Sequence, residues 1–122
     1  MKTAFLTSLL LISSVAWAQS PSPATTQEVD RLFATLKKSN CEFFRNGSWH
    51  NAQKASDHLR RKYEYLLKKG LITSTETFIE LAATKSSMSG KPYQVRCGNT
   101  PPESSGSWFA RKLKSLRSGG QA

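Results

Sequence analysis

The sequence predicts a mainly α domain: about four amphipathic helices, a short two-stranded β ribbon and one disulfide. Three observations carry that expectation. Apolar residues recur with helical spacing in four separate segments. Two short segments beside the two cysteines have the aromatic or alternating character of strands. The first eighteen residues have the form of an export signal, and an oxidising compartment favours joining the cysteines.

Lys2 supplies a positive start, Ala4 to Val15 a mostly apolar stretch, and Ala16-Trp17-Ala18 the small-x-small pattern cut by signal peptidase. The run is short and rich in Ser and Thr for a membrane span, though a retained anchor helix is the alternative. The expected organisation is a signal peptide over 1–18, a disordered leader over 19–26, one helical domain over 27–118 and a tail over 119–122. The mature protein is expected to be periplasmic or secreted. There Cys41 and Cys97 form the available disulfide pair, with two free buried thiols or a metal pair as rivals. Two distant cysteines without a nearby histidine pair make a poor zinc site.

Val29, Leu32, Phe33 and Leu36 form one helical stripe, with Lys37 and Lys38 complementing the dipole of its last turn. Cys41 to Arg45 reads as a short strand or extended loop, and Asn46-Gly47 as a turn. Ser48 is the expected N-cap of the longest helix, Trp49 to Lys69, closed by Gly70. Its buried stripe is Trp49, Ala52, Ala55 or Ser56, Leu59, Tyr63, Leu66 and Leu67. Thr73 to Glu76 reads as a capping box opening a third helix that ends near Lys85. Gly90 and Pro92 forbid its continuation through the polar loop Ser86 to Pro92. Tyr93 to Cys97 alternates like a strand and is expected to pair with Cys41 to Arg45. Trp108, Phe109, Leu113 and Leu116 mark the final helix.

Eighteen Lys and Arg against eight Asp and Glu give a formal charge of +10. Lys54, Arg60, Arg61, Lys62, Lys68 and Lys69 cluster on the long helix, and Arg111, Lys112, Lys114 and Arg117 on the last. Such a surface favours an acidic protein or an anionic envelope component, or simply keeps the domain soluble. Peripheral membrane contact would place the Trp108/Phe109 edge in the lipid surface; a small domain has more use for those rings in its core. Export and the lack of a reading motif argue against nucleic acid.

Little in the sequence points to catalysis. His50 and His58 fall eight residues apart on one expected helix, about 12 Å of rise, too far to share a metal. None of the eight carboxylates is marked as a catalytic pair by its spacing. No cofactor or metal is expected. The segment Lys85 to Tyr93 (KSSMSGKPY) is the most unusual stretch: Ser86, Ser87 and Ser89, a permissive Gly90, Lys85 and Lys91 form a possible anion cradle. The plainer reading is a connection whose hydroxyls satisfy helix-end carbonyls and loop amides.

The ordered series CEFFRNG, A-x-x-HL-x-x-KY, FIELAATKSSMSGKPYQVRCG and a Trp-led terminal helix resembles a family of small exported Gram-negative bacterial proteins of unknown function. The resemblance runs from Val29 to Arg117 and is most specific in KSS-x-SGKPY. It implies a periplasmic or secreted, disulfide-linked, mainly helical domain, and it transfers no activity. By it, the positions to test first are Arg45, Asn46, His58, Lys62, Tyr63, Ser86, Ser87, Ser89, Gly90 and Tyr93. The expected function is a non-enzymatic basic binding module, possible as an inhibitor or immunity partner by analogy. The rivals are a charge-driven binder of lipopolysaccharide or anionic lipid and a small cell-wall hydrolase.

Overall fold

Ser22 caps the first helix by accepting the Thr25 amide at 3.2 Å, and Pro23 occupies the first turn, where its missing N–H is no loss. Helix α1 (Pro23–Lys38) therefore begins inside the segment expected to be a disordered leader. The computed structural model describes residues 3–4 and 20–119; the expected signal peptide lies almost wholly outside the described residues, as does the tail beyond Gly119. After α1 come β1 (Glu42–Arg45), β2 (Ser48–Asn51), α2 (Ala52–Lys68), α3 (Thr75–Phe78), β3 (Gln94–Arg96), β4 (Glu103–Ser104) and α4 (Ser105–Arg117). α3 passes directly into a π-helical stretch, Ile79–Ala83.

The expectation of a mainly α domain with a two-stranded ribbon is overturned. The strands form a four-stranded antiparallel sheet, ordered β2-β1-β3-β4, and the fold is a mixed α/β one. The expected ribbon is the central pair, β1 with β3, in the register Phe43↔Val95. The missing outer strands have separate causes. Asn46 and Gly47 adopt φ values of 49° and 86°, the two positive angles of a tight hairpin turn, so the chain after them returns as β2. The helix expected from Trp49 starts instead at Ala52, capped by Asn51 Oδ1, which accepts the Lys54 amide at 2.8 Å. β4 is two residues long and sits in a Pro- and Ser-rich connection without alternation.

Strand alternation places Phe43, His50 and Val95 on the face against the helices, while Phe44, Trp49 and Gln94 share the outer face. Outside, Arg96 pairs with Glu42 at 3.0 Å and lies 4.0 Å over the Trp49 ring. Inside, Phe43 meets Trp108 edge-on at 5.5 Å, and Phe33, Tyr63, Phe78 and Phe109 continue the aromatic core. Trp108 and Phe109 are each 1% exposed, so they offer no edge to a membrane.

The disulfide joins Cys41 and Cys97, whose positions immediately extend the β1–β3 ladder. Its sequence separation of 56 residues corresponds to about 4 kcal/mol of restricted unfolded-chain entropy. The cap of α3 lies one residue beyond the expected Thr73: Ser74 accepts the Thr77 amide at 3.0 Å, which puts Thr77 rather than Glu76 at the box's reciprocal position. That leaves the Glu76 carboxylate free to pair with Arg117. Arg117 also grips Glu28 through Nε and Nη2 at 2.7 and 2.8 Å, and Thr75 donates to Glu28 at 2.6 Å. One guanidinium thus ties α1, α3 and α4 together.

Candidate functional site

The inner face of the sheet and one side of α2 meet where β1 ends and β3 begins. Arg45 ends β1, Tyr93 precedes β3, and His58 and Lys62 lie one helical turn apart on α2. Tyr93 is nearly buried, its hydroxyl 3.2 Å from both His58 Nε2 and Lys62 Nζ. Lys62 also donates to the Lys85 carbonyl at 2.7 Å. Burial first, then the charges of Arg45, Lys62, Arg61 and His50, push the His58 pKa down to about 4. Neutral at pH 7, its Nε2 accepts from the Tyr93 hydroxyl while Tyr93 Oη accepts from Lys62 (proton positions assigned from the network). Burial lowers the Lys62 pKa and raises that of Tyr93, so desolvation acts on all three members.

Around this network lies a cleft of about 320 Å³, lined by Arg45, Asn46, His58, Arg61, Lys62, Tyr65, Ser86, Ser87, Met88 and Tyr93. An adjoining depression of about 320 Å³ is lined by Arg45, His50, Lys54, Asp57 and Arg61. Between the sheet and α2 a narrow slot continues inward past Phe43, Ala55 and Leu59 to Ser105. Among the described residues, no carboxylate lies within 4 Å of the charged nitrogens of Arg45, Lys54, Arg61 or Lys62. The acids that form ion pairs are taken by Arg60, Arg96, Arg111 and Arg117. Asp57 is held by Gln53 at 2.9 Å. The arrangement is a partly desolvated cationic surface suited to hydrogen-bonding an anion.

The sequence candidates divide. Arg45, Asn46, His58, Lys62, Ser86, Ser87 and Tyr93 come together in the cleft. Tyr63 is packed in the core between Phe33 and Phe78. Lys85 contributes its carbonyl to Lys62, while Ser89, Gly90 and Lys91 form the loop beyond. Much of that loop follows the plainer reading. Ser86 Oγ accepts the Ser89 amide, Ser89 Oγ accepts the Lys91 amide, and Ser89 Oγ reaches Asn46 at 3.4 Å. Gly90 turns the chain at φ 71°.

His50 is the largest correction at the site. Placed on β2 rather than on a shared helix, it comes to the same slot as His58. The Asn-Gly turn carried the signal for that strand. Lys54, Arg61, Tyr65, Met88 and Ser105 are also at the site without having been singled out for it. Among the described residues, no three His, Cys, Asp or Glu side chains gather to hold a metal ion.

Residues 23–117 match DUF5329, a family of unknown function. The chain belongs to that family. It is also similar to the uncharacterized protein YfeK of Salmonella typhimurium (strain LT2), at 36% identity over 84 residues, which cover 69% of this chain and 68% of the relative. No solved structure matches the chain. The family match spans every helix and strand described above, and with them the whole cleft.

Proposed function

We propose that the chain is an exported, non-enzymatic binding module whose cleft receives an acidic segment of a partner protein. One observation carries the reading: Arg45, Arg61 and Lys62 share a cleft in which no carboxylate of the described residues neutralises them, although acids pair with arginines elsewhere. Exposed Tyr65 and Met88, at 60% and 97%, flank those cations with residue types enriched at protein interfaces. The disulfide agrees with an oxidising compartment. In the two basic depressions Asp57 is the only lining carboxylate among the described residues, which provides no pair for two-carboxylate hydrolysis.

The rival with support is a polyanion binder driven by the +10 charge of the whole surface. Calorimetric titration with an acetylated hexaglutamate peptide, its C-terminal carboxylate left free, separates the two. The triple variant Arg45→Ala/Arg61→Ala/Lys62→Ala is expected to weaken binding at least tenfold. Lys37→Ala/Lys38→Ala/Lys114→Ala removes the same charge from other exposed positions and is expected to weaken it less than threefold. Equal losses in the two folded variants would replace the cleft with the diffuse field; undetectable binding by the wild type would remove both.

A further inference from the structure

The slot beside the cleft has a feature that a general basic surface does not require. Ser105 is 1% exposed, and its hydroxyl is the one buried side-chain polar atom without a hydrogen-bond partner among the described residues. Its amide is occupied, donating to the Tyr93 carbonyl at 2.9 Å. A buried hydroxyl left unpaired costs free energy, and such groups are uncommon in folded proteins. This one lines a slot with Phe43, Ala55 and Leu59 as apolar wall and Arg45 and Lys54 among its cationic lining. The cavity volume is about 20 Å³, room for a group about the size of one water.

These dimensions restrict the ligand. A carboxylate driven between apolar walls would lose its hydration, so negative charge belongs beside Arg45 and Lys54. What enters must be small, uncharged and able to hydrogen-bond Ser105. An internal Asp or Glu carries its charge at the tip of the side chain, with nothing beyond it to enter the slot. At a chain terminus, the carboxylate and an uncharged side chain branch from the same carbon. We propose that the slot recognises a terminal α-carboxylate bearing a small hydroxyl side chain, with the carboxylate at Arg45 and Lys54 and the hydroxyl on Ser105. This rests on the reading of the cleft as an anion site and adds which end of the acidic partner it takes. A free small hydroxylated acid has the same chemistry.

Calorimetry on the wild-type chain with acetyl-Glu-Glu-Ser tests the assignment. Blocking the peptide's carboxylate as the amide, or replacing its Ser by Phe, is expected to weaken binding at least tenfold each. N-acetylserine equal to the tripeptide would identify a free acid as the source, and tenfold weaker binding a protein chain end. Ser105→Ala is expected to reduce affinity for the Ser-terminated acid about tenfold with Tm unchanged or raised, because an unpaired hydroxyl is removed. A purely structural Ser105 would instead give a lower Tm with affinity unchanged. Equal binding of acid and amide, or unchanged affinity in Ser105→Ala, overturns the slot assignment. If Arg45→Ala still abolishes binding in that case, the basic cleft stands without it; if no probe binds, both readings fall.

Discussion

Two charged regions of this molecule are built on opposite terms. At the α1/α3/α4 corner, Arg117 is enclosed by Glu28 and Glu76, and Thr75 supplies a further donor to Glu28. The Arg117 hydrogen bond, with help from Thr75, holds the Glu28 carboxyl down at about 2, and Arg117 lowers Glu76 as well. In the cleft, Arg45, Arg61 and Lys62 line one space with a neutral histidine and, among the described residues, have no carboxylate counterion. The first region spends its charge on holding helices together. The second leaves charge available, which is the arrangement expected where binding rather than stability is served.

The largest effect should come from the paired corner. Glu28→Ala leaves Arg117 with Glu76 alone and the buried Thr75 hydroxyl without its acceptor, and we expect a loss of about 1–3 kcal/mol in urea unfolding. Arg45→Gln removes a cation with no ion pair among the described residues and should stay within about 0.5 kcal/mol of wild type. Equal costs would erase the contrast.

Acid separates the regions further. His58 has a folded pKa of about 4 against an ordinary 6.5, so the unfolded chain binds the proton first. Its contribution to stability is complete above 6.5 and is lost as pH falls through 4. The depressed Glu28 contributes above its ordinary 4.5 and is lost as pH falls through 2. Unfolding followed from pH 7 to 2 should show His58→Gln flattening the upper window and Glu28→Gln the lower one. A shared change in both windows would mean the regions are coupled.

Salt should give the smallest effect. Screening weakens the exposed Arg117 pairs but relieves repulsion within the cleft. Raising salt should move the His58 pKa, followed by NMR, upward part of the way, because burial rather than charge is its leading cause. A full return to 6.5 would assign the depression to charge alone.

The sequence was informative wherever one local signal had one meaning. The β1–β3 pairing, the α2 stripe from Ala52 to Leu66 and the Cys41–Cys97 bridge were legible for that reason. Ser48-Trp49-His50 had two meanings, since Trp49 fits a helical stripe as well as a strand. The Asn-Gly turn should have decided it, because a tight hairpin requires a returning strand. The misplaced element hid the approach of His50 to His58. KSS-x-SGKPY located one wall of the cleft, while Ser105 was illegible: nothing in a serine's neighbourhood along the chain says whether its hydroxyl will find a partner. The π-helical turn was equally hidden, since its apolar spacing over Ile79–Ala83 still reads as an ordinary helix.

The position of the disulfide along the central strands has a mechanical consequence. Cys41 and Cys97 clamp one end of the β1–β3 ladder, while Arg45 and Tyr93 stand at the other. A weld at one end of a hydrogen-bonded ladder fixes the register of the two strands, so the spacing of Arg45 and Tyr93 across the cleft is set from the far end. Reducing the disulfide is therefore expected to loosen the cleft as well as the joint, seen as faster amide exchange at Tyr93 and Phe44.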